Sequence, residues 1–561
     1  MNTTITNNLT EIKITDNKLI NLLVKVTIGL KVDYHKLLSY VEDIEDKNIS
    51  DDYLRKLLIS QALKLTDIKN YDDLDWRFVA SRLLLDGVYS DISKTRISNN
   101  YYEFLEQAIS KKLYDPKILE VYSKEQIDEI SKELNYEYDL GFDYAGMNLL
   151  VNRYLINDSG KIFEFPQEMF LSIALLIAIP EKEDNRLQAA KDFYHAIAGR
   201  KISLATPILL NLRKPNGNLS SCFIGAMDDN LDSIYYTLDQ IAQISKNAGG
   251  CGVNVSRIRA SGSYIRGVKG ASSGVMPWIK LINDTGIAVN QQGARAGAIT
   301  VALDIWHLDI EDFLNCQTEN GDLRKKTFDI FPQIVIPDLF MERVENNQSW
   351  TLFDPNEIRI KFKIELAELY GNEFREKYLF LETQKLDFKK DINAKELFKT
   401  FLKTVVETGM PYITFKDAIN ETNPNKHAGM IGNANLCTES FSNFRPSIVT
   451  KKELKDANTI VKEIKAGELH TCNLVSLNLA IVEDSEIEKL TAYCVKILDN
   501  TIEISAAPVP EAEKHNNEYR ILGVGSMGLA DWLVKRKLTY AKSAEKVSEL
   551  YEKIAYSGVK A

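Results

Sequence analysis

No two of the six cysteines in this 561-residue sequence stand at C-x-x-C spacing, which excludes a zinc ribbon. They occupy positions 222, 251, 316, 437, 472 and 494. His470 and Cys472 stand two positions apart, but no second ligand pair accompanies them, so no metal site is expected. In a reducing compartment the ordinary fate of a cysteine is to be a small, inert, buried hydrophobe, and Cys316 and Cys494 are expected to be that. Long basic runs are also missing. Acidic residues number 79 against 69 basic, a net charge of −10, which argues against a polymeric nucleic acid as partner. A small phosphorylated ligand needs only local arginines and stays open. No apolar run is long enough to span a bilayer: FLSIALLIAI (170–179) lies between Pro166 and Pro180 and reads as a core helix. The opening MNTTITNNLTEIKITDN has no apolar segment following basic residues, so it does not read as a signal peptide. A soluble, cytoplasmic protein with no membrane association is expected. Only 14 prolines and 28 glycines, with 45% apolar residues, describe a globular chain of several domains or one large barrel with an appended domain.

What is present changes in texture along the chain. Up to about residue 195, apolar residues recur at three-and-four spacing in LRKLLISQALKL (54–65) and WRFVASRLLLDGV (76–88), as they do in YEFLEQAI and ILEVY. This predicts a helical N-terminal domain. From residue 201, β-branched runs (CFIGA, GVNVS, AITVALDI, QIVIP, HTCNLVSLNL) alternate with helical stretches such as SIYYTLDQIAQIS, the signature of an α/β domain with parallel strands. The charged stretch ELAELYGNEFREKY reads as a helical excursion on the surface.

Three groups of residues could carry chemistry. The block NAGGCGVNVSRIRASGSYIRGVKGASSGV (247–275) combines glycines with Arg257, Arg259, Arg266 and Lys269, and NQQGARAGA (290–298) repeats the theme around Arg295. Glycine lets backbone N–H groups approach phosphate oxygens and arginine offers a fork for them, yet neither standard nucleotide fingerprint is complete. Loop and phosphate site are equally supported. SSCFIG (220–225) and HTCNLVSLNLA (470–480) each begin a strand-like run with a cysteine, and a reversible disulfide between Cys222 and Cys472 requires those runs to be neighbours. Finally, IGNANLCTES (431–440) alternates Asn435, Cys437 and Glu439. An extended segment would throw all three to one face, where a carboxylate could take a proton from a hydroxyl that an amide orients. A plain loop in which Asn435 makes a turn, Cys437 packs and Glu439 is solvated fits equally well.

These motifs occur in one order: SSC, the glycine-rich block, QQGARAGA, NLCTE, CNLVSLNLA and LGVGSMGLADWL (522–533). With HAGMIGNANLCTES and WTLFDPNE (350–357), the chain resembles the large catalytic subunit of class I ribonucleotide reductase from about residue 30 to its end. The resemblance implies an α/β fold: a short extension over 1–30 without a complete ATP cone, a helical domain over 31–195, and a ten-stranded α/β barrel with an internal finger loop over 196–561. It implies that Cys437 becomes a thiyl radical and abstracts the 3′ hydrogen of a ribonucleoside diphosphate. Glu439 would take the 3′ hydroxyl proton, Asn435 would hold the substrate hydroxyls, and Cys222 and Cys472 would end the cycle as a disulfide. Thr206 and Ser221 match substrate-contacting positions. Asp229 and Arg259 match residues that bind a deoxynucleoside triphosphate effector at a dimer interface, and Gln291 and Arg295 match the loop that links effector to substrate base. No cofactor would be bound by this chain; a separate, metal-containing small subunit would supply the radical, and a thioredoxin- or glutaredoxin-type protein would reduce the disulfide.

The family pattern continues beyond LGVGSMGLADWL with closing barrel strands, a phosphate-binding loop, radical-relaying tyrosines and a cysteine-bearing tail, none of which follows here. A complementing C-terminal fragment is therefore expected as a partner, because an unclosed barrel exposes strand edges. Two other readings stand beside this one. A cobalamin-dependent reductase would need no radical-supplying partner, though LDIWHLDIEDFL and WTLFDP follow the class I pattern. A catalytically silent nucleotide-binding or regulatory fragment of the same family would bind effector without turnover.

Overall fold

The computed structural model describes residues 16–42, 50–96, 98, 100–289 and 297–561. Its described residues form two compact units. One takes Met1–Asn216, Val475–Ile504 and Val524–Ala561; the other takes Gly217–Leu474 and Ser505–Gly523.

The first unit is mainly helical, and the sequence periodicity explains how. In the Trp76–Thr95 helix, Trp76, Val79, Ala80 and Leu83 fall on one buried face, and the Asp51–Leu65 helix supplies Leu54, Leu58 and Ala62 to the same core. Ser50 caps the latter helix by accepting from the Tyr53 N–H. The apolar run at 170–179 belongs to the Pro166–Ile177 helix, which is buried all round. Proline at its first turn costs no hydrogen bond there. Buried acidic side chains of this unit have partners: Asp86 with Arg55 at 3.3 Å, Glu168 with Arg96 at 2.8 Å, Glu164 with Arg213 and Tyr114, and Asp139 with Gln167 at 2.7 Å and Tyr89. The Ile487–Ile504 and Ala544–Lys560 helices join this unit, tied by Lys560 to Glu488 at 2.6 Å. A three-stranded sheet places Leu474–Asn478 between Gly523–Met527 and Ile202–Leu204.

The second unit is built on a six-stranded sheet in the order Tyr412–Phe415, Phe331–Ile336, Ile299–Asp304, Gly250–Asn254, Cys222–Ala226 and His470–Thr471. The first five strands are parallel and the last runs antiparallel to Cys222–Ala226. The Cys222, Gly250 and Ile299 strands are buried at every residue, which is why they read as continuous runs rather than alternations. The fold is therefore α/β behind a helical N-terminal part, and among the described residues no strand pairing closes the sheets into a ring.

One local expectation is refined: the excursion is a surface helix, but one of its faces is core. The charged excursion expected at the surface contains the Gly371–Thr383 helix, whose Phe374, Tyr378 and Leu381 are wholly buried in the sheet's core. Tyr378 stacks on Trp350 with ring centroids 4.3 Å apart, and its hydroxyl donates to the Thr351 carbonyl at 2.8 Å. The helix is amphipathic: its charges cover one face and hid the three-and-four apolar stripe on the other.

A candidate active site of converging cysteines

The segment 431–436 crosses the sheet along the Gly250–Asn254 strand, from Asn254 at its carboxyl end to Gly250 at its amino end, and buried polar side chains hold it there. Asn420 both donates to the Ile431 carbonyl (2.9 Å) and accepts from the Ile431 N–H (2.8 Å). Asn254 donates to the Gly432 carbonyl at 3.2 Å, and Thr300 donates to the Leu436 carbonyl at 3.2 Å. Gln333 accepts from the Ala434 N–H at 3.4 Å. Asn254, Thr300 and Gln333 sit in largely apolar strands, and a buried polar group there needs such a partner. None was singled out in the sequence, although a lone Asn, Thr or Gln inside a strand-like run is the available signal.

Glycine makes the approach possible. A Cβ on Gly252 would stand 2.6 Å from the Ala434 carbonyl oxygen, and one on Gly250 would stand 2.8 Å from Leu436 and 3.4 Å from the Cys222 sulfur. These two glycines of the block therefore seat the crossing segment. Further along, the N–H groups of Ala260, Ser261 and Val275 donate to the carboxylates of Asp354 and Asp309 at 2.9–3.1 Å. Those donors are occupied by the protein's own acids, which favours the structural reading of this part of the block.

Beyond Leu436 the chain turns about the Asn435 side chain, as in the loop reading and contrary to the extended one. The Thr438 N–H donates to the Asn435 carbonyl at 3.2 Å, and Thr438 adopts a positive φ of 63°. The Asn435 side-chain oxygen accepts from the N–H groups of Glu439 (2.9 Å) and Ser440 (3.1 Å). An asparagine that captures nearby backbone donors favours a turn over a strand. Asn435 is consequently buried while Cys437 and Glu439 are exposed, so the three do not share a face by alternation. The Asn435 amide nitrogen is left buried without a protein partner.

The turn brings Cys437 to the two strand cysteines. Continuing the register of His470 with Ile224 and Thr471 with Phe223 sets Cys472 opposite Cys222, and the Cys472 N–H donates to the Cys222 carbonyl at 2.9 Å. Cys222 and Cys472 are both buried, with Leu436 and Ile224 packed around them. The Cys437 thiol hydrogen-bonds to Cys222 and draws its pKa down, but the Cys472 hydrogen bond, burial and the negative charge of Glu439 push it up, and the upward influences win. Cys222 thus keeps its proton at neutral pH. Cys316 and Cys494 are buried thiols pushed by burial to about 11 and about 12 respectively, as inert core residues should be. Cys251, on the Gly250 strand, is likewise buried and its pKa raised by burial.

The other expected residues fall as follows. Ser221 precedes Cys222, its N–H donating to the Cys472 carbonyl at 2.9 Å. Thr206 belongs to the helical unit, begins the Thr206–Asn211 helix and hydrogen-bonds Tyr154 at 3.0 Å. Asp229 and Arg259 meet: the guanidinium Nε donates to both carboxylate oxygens at 3.1 Å. Arg359 joins them at 3.2 Å and was not singled out from the sequence, though it follows WTLFDPNE closely. Gln291 and Arg295 lie outside the described residues. Among the described residues no three His, Cys, Asp or Glu side chains converge to hold a metal ion. No described helix is long and apolar enough to cross a membrane.

Taken together, the described residues define an α/β protein in which the thiols of Cys222, Cys437 and Cys472 converge, an arrangement fitted to thiol chemistry. Comparison with known proteins is specific. The family described as "Ribonucleotide reductase, barrel domain" matches residues 220–561, and "Ribonucleotide reductase, all-alpha domain" matches 140–217. The chain is 48% identical over 94% of its length to a ribonucleoside-diphosphate reductase subunit alpha of Synechocystis sp., covering 66% of that protein. It is 35% identical over 91% of its length to the subunit of the same name from Helicobacter pylori, covering 68% of it. A ribonucleoside-diphosphate reductase large subunit of Plasmodium falciparum is 32% identical, with 86% of this chain and 58% of that protein covered. The chain belongs to the ribonucleotide reductase large-subunit family. It spans about two thirds of the length of the curated relatives it matches.

Proposed function

We propose that the chain is the catalytic part of a ribonucleoside-diphosphate reductase that forms 2′-deoxyribonucleoside diphosphates. The observation that carries this reading is the meeting of Cys437, Cys222 and Cys472, with Cys437 on the turn that the Asn435 side chain forms. A thiyl radical on Cys437 takes the 3′ hydrogen atom of the substrate, giving a thiol and a carbon radical. Glu439 accepts the 3′ hydroxyl proton and the Asn435 amide donates to a substrate hydroxyl. Cys222 protonates the 2′ hydroxyl, which leaves as water; its raised pKa keeps that proton available until the step requires it. Two electrons come from the Cys222 and Cys472 thiols, which join as a disulfide, and Cys437 returns its hydrogen atom to C3′. The balance is substrate plus dithiol to deoxynucleotide plus disulfide plus water.

Thr206 and Ser221 contribute substrate contacts in this reading, and the domain limits 31–195 and 196–561 separate a helical domain from the catalytic one. A deoxynucleoside triphosphate or ATP effector binds at Asp229 and Arg259, with Gln291 and Arg295 reporting it to the substrate. A homodimer is supported by Leu231, Tyr235 and Ile287, exposed apolar residues on the adjoining Leu231–Lys246 and Met276–Ala288 helices. The radical comes from a separate metal-containing small subunit, and the disulfide is reduced by a thioredoxin- or glutaredoxin-type protein.

The test is nucleoside-diphosphate reduction by the protein isolated from its source cells with whatever polypeptides accompany it, alongside the same preparation carrying Cys437→Ala. Turnover lost in the variant supports the reading. Equal inertness of both moves the effector-binding, non-catalytic reading to first place.

A further inference from the structure

The histidine next to the dithiol strand has a job that neither metal binding nor core filling accounts for. His470 is completely buried on the short antiparallel strand that leads into Cys472. Its Nε2 lies 2.7 Å from the hydroxyl of Ser440. Ser440 in turn closes the cysteine turn from its far side: its N–H donates to the Asn435 side chain at 3.1 Å, and its carbonyl accepts from the Asn435 N–H at 3.3 Å. A single line of hydrogen bonds therefore runs from the Cys472 strand through His470 and Ser440 to Asn435, spanning the turn that holds Cys437.

We propose that His470 is a positioning residue: by clamping Ser440 it fixes the Asn435–Ser440 turn that sets Cys437 against Cys222. Its importance for turnover rests on the reductase reading above. The chemistry of the site suits a neutral imidazole. One ring nitrogen engages the hydroxyl, and Nδ1 has no protein partner. The ring faces His515 at 5.2 Å, and His515 is set among Glu468, Lys514 and Tyr519 on and near the Pro510–Tyr519 helix. Burial, followed by the charge His515 would carry, lowers the His470 pKa to about 3. The clamp therefore stays uncharged and has an accepting nitrogen throughout the neutral range. A phenylalanine would fill the same space without the hydrogen bond, which separates positioning from packing.

The experiment follows iodoacetamide alkylation of Cys437 in the intact chain by peptide mass mapping, with buried Cys316 and Cys494 as internal reporters of the fold. The variants are Ser440→Ala, His470→Phe, the double variant and His470→Gln. The expected result is that either single loss speeds Cys437 alkylation about fivefold, the size of one neutral hydrogen bond. The double variant then matches the singles instead of multiplying them, and His470→Gln returns the rate to within about twofold of the parent. The proposal is overturned if Ser440→Ala leaves the rate unchanged, if the two effects multiply, or if Cys316 and Cys494 become reactive together with Cys437. Because alkylation needs no turnover, an active Cys437→Ala preparation would sink the reductase reading while leaving this result standing.

Discussion

Gly252 and Ala434 approach so closely that a Cβ on the glycine would stand 2.6 Å from the alanine's carbonyl oxygen. Backbone cannot swing aside as a flexible side chain can, so the strand and the crossing segment must separate if Gly252 gains a methyl group. Gly252→Ala should cost about 1–3 kcal/mol, as overpacking a tight site does, and lower the urea midpoint accordingly. Reductase turnover should fall far more than stability, because Cys437 moves with the segment. A variant with unchanged stability and turnover would show that the segment is not seated on this strand.

Cross-strand opposition places Cys222 and Cys472 within the Cα separation that a disulfide tolerates. Mild oxidation of the native chain should link these two and no others among the six. Non-reducing peptide mapping reads the bond, and Cys472→Ser should abolish it. A Cys222–Cys437 link as the main product would assign the dithiol differently.

Asp229 lies between two guanidiniums, those of Arg259 and Arg359. If an effector's phosphates are drawn to this pair, Arg359→Ala should weaken deoxynucleoside triphosphate binding about tenfold, the loss expected when one charge-assisted hydrogen bond of about 1.5 kcal/mol disappears. Isothermal calorimetry on the full chain checks it. Unchanged affinity would leave Arg359 as a structural partner of Glu365, to which it also bonds at 2.8 Å.

Burial raises the carboxyl pKa of Asp139 to about 7, against the hydrogen bonds from Gln167 and Tyr89 that pull it down. The folded chain then holds a proton that the unfolded chain has already released. Its stabilising contribution is complete below the ordinary carboxylate pKa, about 4, and is lost as pH rises towards 7. His470 and His515 work in the opposite sense. Their pKa values are lowered to about 3 and about 4, so their neutral burial loses stability as pH falls below about 6.5, where the unfolded chain begins to gain protons. The difference between parent and Asp139→Asn isolates the carboxyl. Thermal unfolding from pH 4 to 7 should show the parent losing stability relative to the variant as pH rises, and parallel profiles would refute the assignment.

The sequence by itself determined which stretches become helices and strands, and it named the residues around which the site forms. Periodicity sufficed for the helices at 54–65 and 76–88 because their apolar faces are regular, and the buried strands stood out as unbroken apolar runs. The order of the motifs carried the family, since each keeps its residue types wherever the chain places it. Other features were not legible, because they depend on contacts between residues far apart in the chain. Asn435 turns the backbone with its own side chain, so alternation predicted the wrong face for Cys437 and Glu439. The glycines at 250 and 252 offered phosphate binding and loop formation equally until the crossing segment was seen lying on them. The pairs Arg359–Asp229 and His470–Ser440 form only when segments far apart in the chain come together, 130 and 30 positions respectively. Local pattern fixes which face of an element is apolar; only packing decides which polar group is waiting at its end.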